Sequence, residues 1–272
     1  MTTQNKFVLS GEKILKILAV GDIVGRVGVD FLKSKLPSLK KEYEVDFVIA
    51  NGENSAEGNG IVPISANKIL NAGVNVITGG NHTFRRREIF PYLNENRRII
   101  RPINYPSENT PGVGMRKFKV RGISVCVINL IGVVYMECVE LPMTAVDKAL
   151  EECQDCAVKI VDFHAEATAE KLALGYYLDG RVSAVFGTHT HVQTSDECVL
   201  PKGTGYITDV GMTGPIHSVL GVKKEISIRR MKDRIPVRFE NADGPCKMEC
   251  VIFDIDENTG FTRSVQRLRV LD

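Results

Sequence analysis

An α/β fold is what this sequence predicts, with a largely parallel sheet formed first and β-rich portions after it. Three observations predict it. Short apolar runs alternate with helical patterns through the N-terminal third; the middle and the C-terminal third hold further strand-like runs; and five of the expected strands end in a polar cluster. Two packed sheets with helices outside accommodate both portions.

The first strand is expected over Ile14–Val20, ending in Gly21-Asp22, with a helix at about 29–41. A strand at 46–50 ends in Asn51-Gly52-Glu53-Asn54, and a helix follows at 64–71. A third strand at 74–78 ends in Gly79-Gly80-Asn81-His82, before a helix at about 86–95. This β-α-β-α-β rhythm is that of parallel strands joined by crossover helices. The middle changes character: 117–120 and 123–130 read as an antiparallel pair. A strand at 158–163 then leads into His164, a helix is expected at 168–177, and a strand at 182–186 leads into Thr188-His189-Thr190-His191. Stretches 205–208, 225–229, 246–255 and 261–269 read as strands, with little helix among them. Residues 1–13 read as a flexible leader and 14–272 as a single domain, with no repeat or linker.

Composition narrows the function classes. With 35 Lys+Arg against 33 Asp+Glu, the formal charge is +2, which gives no electrostatic case for a dedicated nucleic-acid or membrane-surface binder. A hydrophobic share of 43% supplies an ample core, unlike a disordered chain. No apolar run approaches the roughly 20 residues that span a bilayer, and the polar stretch before residue 14 has no apolar core of a secretory signal. A cytoplasmic location is expected. Seven cysteines, an odd number in a large chain, suit that compartment better than a disulfide framework. Cys153 with Cys156, and Cys246 with Cys250, are read as reduced thiols rather than halves of a zinc ribbon.

The polar strand ends carry the chemistry. Ligands of parallel α/β sheets bind at the carboxyl ends of strands, so Asp22, Glu53/Asn54, Asn81/His82, His164 and His189/His191 can converge on one rim. The chain has five histidines, and four of them follow expected strands directly. Oxygen donors with imidazoles suit Mn²⁺, Fe or Zn²⁺. Asp22, Glu53, Asn81, His164, His189 and His191 exceed what one ion needs, and Glu53 can bridge. Two ions about 3.5–4 Å apart clamp an oxyanion and acidify a bridging water, which fits phosphate esters as substrates. On an extended segment, His189 and His191 would point the same way and reach one metal pair. Glu166, Thr168, Asp209 and Thr213 are partners for the ligands or else caps and turn formers, and His217 is expected on a loop. The Gly21, Gly25, Gly28 spacing lacks the G-x-G start of a dinucleotide fingerprint, so no such site is expected.

Gly79-Gly80-Asn81-His82 and Gly187-Thr188-His189-Thr190-His191 resemble the Gly-Asn-His and Gly-His-x-His blocks of the calcineurin-like metallophosphoesterases. The chain is more similar still to the bacterial YmdB-like branch of that superfamily. Its hallmarks stand here as Gly21-Asp22-Ile23-Val24-Gly25, Ala50-Asn51-Gly52-Glu53-Asn54, Gly80-Asn81-His82-Thr83, Asp162-Phe163-His164-Ala165-Glu166-Ala167 and Thr188-His189-Thr190-His191-Val192-Gln193. Thr208-Asp209-Val210-Gly211-Met212-Thr213-Gly214-Pro215 completes the set.

The resemblance implies a four-layer α/β/β/α sandwich and a dimetal phosphodiesterase acting on 2′,3′-cyclic nucleotides, through in-line attack by a metal-bridging hydroxide. It implies one metal on Asp22, Glu53 and His191 with Asn54 close by. The second would lie on Asn81, His164 and His189, with Glu53 bridging and His82 as the general acid. The metals implied are Fe or Mn, with Zn compatible. The superfamily's usual bridging Asp and Asp-x-His start are replaced here by Glu53 and Gly21-Asp22-Ile23, as in this branch. A local departure is Phe84-Arg85-Arg86-Arg87, where the branch more often carries Trp and an acidic residue; the triplet is read as a solvated first helical turn. The rival readings are a phosphomonoesterase or broad phosphodiesterase, and a regulatory RNA-associated module for which the near-neutral charge gives no support. The expected partner is a small phosphoester or nucleotide, with no membrane, and a homo-oligomer is compatible with such an enzyme.

Overall fold

A computed structural model of the chain describes residues 13–272, so the expected leader at 1–13 lies outside the described residues apart from Lys13. The N-terminal half alternates as read: β1 (Ile14–Val20), β2 (Asp22–Ile23), α1 (Gly25–Glu42), β3 (Phe47–Asn51), α2 (Pro63–Asn71), β4 (Val76–Thr78) and α3 (Ile89–Glu95). Then come β5 (Met115–Val120), β6 (Ile123–Ile131), α4 (Pro142–Glu152), β7 (Val158–His164), α5 (Thr168–Leu178) and β8 (Ala184–Thr188). The chain ends with β9 (Cys198–Val199), β10 (Gly205–Ile207), β11 (Met212–Pro215), α6 (Lys224–Asp233), β12 (Cys246–Asp256) and β13 (Thr262–Leu271).

The result is a mixed α/β fold with two sheets. The first has strand order β2-β11-β12-β1-β3-β4, with β13 also on β12. Strands β1, β3 and β4 are parallel, and β12 runs antiparallel to β1. Residues 246–248 of β12 pair with β11 and 250–256 with β1, so these two share one edge while β13 takes the other. The second sheet has order β5-β6-β7-β8-β10-β9, with β6, β7, β8 and β10 parallel and antiparallel strands at both edges. The β5–β6 pair is the antiparallel ribbon expected in the middle of the chain.

Three apolar clusters follow from strand alternation. One packs α1, α2 and α3 on the first sheet through Leu18, Leu32, Leu36, Ile69 and Ile89. A second joins the sheets: Ile17, Ile49 and Phe253 of the first meet Val127, Ile160 and Phe186 of the second. The third packs α4 and α5 on the second sheet through Val146, Ala149, Val161 and Leu174. All seven cysteines are free. Cys153 and Cys156 lie in the third cluster and Cys246 and Cys250 in the first, so the pairs cannot share a zinc ion. No helix among the described residues is long and apolar enough to cross a membrane.

Two readings are corrected. Residues 225–229 lie in the first half of helix α6 and not in a strand. Ile226 and Ile228 alternate as on a strand, but among the described residues no strand edge receives them, and Ile228 is exposed. The reading also left 131–157 without an element, whereas α4 starts on Pro142 and buries Ala145, Val146 and Ala149 on one face.

Candidate metal centre

Asp22 owes its position to Gly21. The Gly21 N–H bonds Glu249 of β12 while the next residue, Asp22, bonds Gly211 at the start of β11, so the chain changes neighbours here. A Cβ on residue 21 would lie 2.2 Å from the Gly211 carbonyl oxygen, so only glycine fits. Asp22 is fully buried. Its Oδ2 accepts the His189 backbone N–H at 3.1 Å, and its Oδ1, 3.6 Å from His191 Nε2, has no hydrogen-bond partner. Glu53 and Asn54 follow β3, and Asn81 and His82 follow β4. Gly80 leaves room between them: a Cβ there would stand 2.3 Å from His164 Cδ2 and 2.4 Å from Glu53 Oε2. From the second sheet come His164, the last residue of β7, and His189 and His191 just beyond β8.

The eight expected site residues are brought together on one floor. His164 Nε2 lies 3.1 Å from Glu53 Oε1, 3.0 Å from Asn81 Oδ1 and 3.0 Å from His189 Nδ1. Thr188 Oγ1 stands 2.9 Å from His164 Nδ1 and donates to Asp162 Oδ1 at 2.8 Å. The hydroxyl proton is thus committed to Asp162, so Thr188 accepts from His164 Nδ1–H, and the neutral ring carries its lone pair on Nε2. With His164 neutral, three lone-pair groups then surround a fourth, which is the donor arrangement of a cation site. Glu53, His164 and His189 offer ligand atoms all within 4.8 Å of one another. A second group forms around Asp22. His191 Nδ1 donates to the Leu220 carbonyl at 3.0 Å, so its Nε2 turns toward Asp22 Oδ1. The unpartnered Asp22 Oδ1 is the orphaned atom a cation would satisfy, with this Nε2 beside it. The donors are all nitrogen and oxygen, which suits Mn²⁺, Fe or Zn²⁺.

Electrostatics points the same way. Burial opposes ionisation of Glu53, yet His164 and His82 hold its carboxyl well below the ordinary range. Burial opposes charge on Asp22 too, but His191 keeps its carboxyl low. Burial disfavours imidazolium at His164, but Glu53 raises it to about 9. His189 is pushed down to about 4 by burial and by the neighbouring His164. Two buried carboxylates thus draw positive charge onto His164 and His191, charge that an ion would supply in their place.

His82 differs from the other histidines. Its backbone N–H donates to Glu53 Oε2 at 2.8 Å, its Nδ1 lies 2.9 Å from Asn54 Oδ1, and its side chain is 27% exposed. The Asn54 amide nitrogen turns instead to Glu53 Oε1 at 3.1 Å and His191 Nε2 at 3.4 Å. The extended-segment argument for His189 and His191 is corrected. Both have left-handed backbones, φ 103° and 62°, and they face different partners, His164 and Asp22. Asp209 holds this loop, accepting the Thr190 N–H at 3.1 Å and pairing with the buried Lys171 at 2.7 Å.

Glu166 reaches His189 Nε2 at 3.1 Å, Thr168 opens α5 without capping it, Thr213 is buried in β11, and His217 is exposed in a bend. The arginine triplet precedes α3 and does not form its first turn: Arg85 and Arg87 are exposed, while Arg86 holds the carbonyls of Glu57 and Asn59. Gly21 and Gly28 serve close packing against Gly211 and Thr213. Sequence reading missed Asp162, Thr188 and Lys171. The signal for Asp162 lay in its place two residues before His164, on the same face of β7.

The floor opens into a cleft of about 790 Å³, whose far wall is α6 and the segment after it. A family model described as YmdB-like protein matches residues 18–268. The chain is 44% identical over 259 residues to a Bacillus subtilis (strain 168) protein named 2′,3′-cyclic-nucleotide 2′-phosphodiesterase, covering 95% of this chain and 98% of that one. Among solved structures, a hypothetical protein from Thermus thermophilus aligns with a TM-score of 0.90 at 38% identity, covering 95% of this chain and 100% of its own. A phosphatase from Mycoplasma pneumoniae aligns at 0.91 and 34%, covering 96% and 94%.

Proposed function

The chain belongs to the YmdB-like family, and from that premise we propose that it is a phosphodiesterase that opens 2′,3′-cyclic nucleotides at the 2′ oxygen to give nucleoside 3′-phosphates. The observation that carries the reading is the convergence of Glu53 Oε1, Asn81 Oδ1, His164 Nε2 and His189 Nδ1, beside Asp22 with its unpartnered Oδ1. Asp22, Glu53, His191 and the adjacent Asn54 would hold one ion, and Asn81, His164 and His189 the other, with Glu53 shared. Ions held there would supply charge neutralisation at the phosphoryl oxygens and acidify the attacking water.

The chain's own groups do the rest. Asp162 and Thr188 fix the His164 tautomer, and the Leu220 carbonyl fixes that of His191. The imidazolium of His82 donates its Nε2 proton to the departing 2′ oxygen. Loss of that proton leaves the neutral Nδ1–H ring held by Asn54 Oδ1. The same reading takes residues 14–272 as one domain layered α/β/β/α, a layering supported by the three separate apolar cores. It takes Fe or Mn as the metals, on the nitrogen–oxygen donor set, and the cytoplasm as the compartment, on seven free cysteines.

Hydrolysis of 2′,3′-cyclic AMP by Mn²⁺-loaded protein tests the reading, with Asn81→Ala and Asp22→Ala as controls. Turnover should fall by orders of magnitude in both variants, with circular dichroism unchanged. Wild-type rates in either variant would remove that residue from the site. The Mycoplasma pneumoniae phosphatase favours a second reading, a broader phosphoesterase. Faster turnover of a phosphomonoester than of 2′,3′-cyclic AMP would select it.

A further inference from the structure

The wall facing the metal floor is apolar and exposed. Met231 of α6 is 70% exposed, Ile235 56%, Leu220 47% and Phe239 38%, and all four line the cleft that holds Glu53, His82, His189 and His191. Helix α6 has a single buried residue, Ser227, and its Met231 lines the cleft rather than packing into a core. The Arg230 guanidinium lies 4.5 Å from the centroid of the Phe239 ring. A planar cation stacked on an aromatic face is a surface that a second flat, conjugated ring can extend.

Wall and floor are held in register. His191 is bonded to the Leu220 carbonyl. Residues on either side of Leu220 form a short ladder, Val219 with Val222 and Val222 with Asn241. Lys223 N–H then bonds the Glu240 carbonyl, and Ala242 N–H bonds Gly221. Phe239 adjoins this ladder, so its place is set relative to the group that holds Asp22. A cleft of about 790 Å³ with a polar floor and an apolar wall divides as a nucleotide does, phosphate and ribose at one end and base at the other.

We propose that Leu220, Met231, Ile235 and the Arg230–Phe239 pair seat the nucleobase of the substrate. The proposal rests on the phosphodiesterase reading and adds the part of the protein that makes a nucleotide preferable to a bare cyclic phosphate.

The test compares 2′,3′-cyclic AMP with methyl riboside 2′,3′-cyclic phosphate, which keeps the reacting ring and lacks the base. In Phe239→Ala, the preference for the nucleotide in kcat/KM should fall roughly tenfold, the size of one base–aromatic contact. The fall should appear in KM, with kcat for the nucleotide little changed. A preference within twofold of wild type in both Phe239→Ala and Met231→Ala would overturn the proposal. A second measurement needs no turnover. The chain has no tryptophan, so Phe239→Trp introduces a single indole. Its fluorescence should be quenched saturably by adenosine 3′-phosphate and not by ribose 3-phosphate; equal responses to the two would overturn the proposal. If neither cyclic phosphate is hydrolysed by wild type, the phosphodiesterase reading fails, and the titration alone decides the base seat.

Discussion

Four of the five histidines meet at one floor, and their neighbours give them different tasks. His164 and His191 each have one ring nitrogen engaged, by Thr188 and by the Leu220 carbonyl, which frees the other for an ion. His189 and His191 stand in left-handed backbone, a conformation that costs non-glycine residues roughly 1–3 kcal/mol each. The Asp209 contacts to Thr190 and Lys171 hold the loop there. His82 too has its Nδ1 engaged, by Asn54 Oδ1, but its ring is partly open to the cleft. His82→Ala is therefore expected to keep its metal content while losing about 10²–10⁴-fold in turnover. The loss should be largest with a ribose leaving group and smallest with p-nitrophenolate, which departs without a proton. Metal analysis alongside kinetics checks both halves, and a variant that loses an ion would make His82 a ligand instead of an acid.

The elements divide into those that periodicity announces and those that only pairing creates. Strands β1, β3, β7 and β12 are apolar runs legible in the sequence, and β12 is now seen to be shared by β11, β1 and β13. β2 has two residues and β9 another two; such strands exist only because a neighbour offers an edge. The candidate site residues were legible because each follows a readable strand, whereas Asp162, which orients His164 through Thr188 at the end of β8, lies inside β7 and looks like an ordinary core position. The β12–β13 turn gives an element-scale prediction. Asp256 Oδ1 accepts the N–H groups of Asn258 and Thr259 at 2.8 and 3.0 Å, and Oδ2 accepts from Arg263 at 2.7 Å. The Arg263 bond, with those backbone donors, lowers the carboxyl to about 2. A folded value below the unfolded one stabilises the hairpin above about pH 4, and that stabilisation is lost as pH falls toward 2. Asp256→Asn should cost on the order of 1 kcal/mol at pH 7. In urea titrations the deficit should shrink between pH 4 and pH 3, and a constant deficit would show that the charge is not what holds the turn.

At the scale of the whole molecule, the site is a joint between the sheets. Asp22, Glu53, Asn54, Asn81 and His82 come from the first sheet and its loops, and His164, His189 and His191 from the second. Elsewhere the sheets meet through apolar contacts such as Phe186 with Phe253, whose ring centroids are 6.4 Å apart, and those contacts carry no direction. Ions held by ligands from both sides would tie the two sheets at a fixed separation. They would also relieve the repulsion between the buried carboxylates of Asp22 and Glu53. Binding to the folded chain alone then stabilises the entire fold rather than one loop, by about 2.7 kcal/mol at a hundredfold excess over Kd. For a chain of this size that corresponds to roughly 5 °C in Tm. Chelation should lower a single cooperative transition by that amount, and Mn²⁺ titrated back should restore it in proportion to the logarithm of its concentration. His164→Ala, which removes a candidate ligand from the second sheet, should flatten the titration. Equal Tm values in chelator and in saturating Mn²⁺, or a shift confined to a minor early transition, would mean that the floor does not join the sheets through an ion.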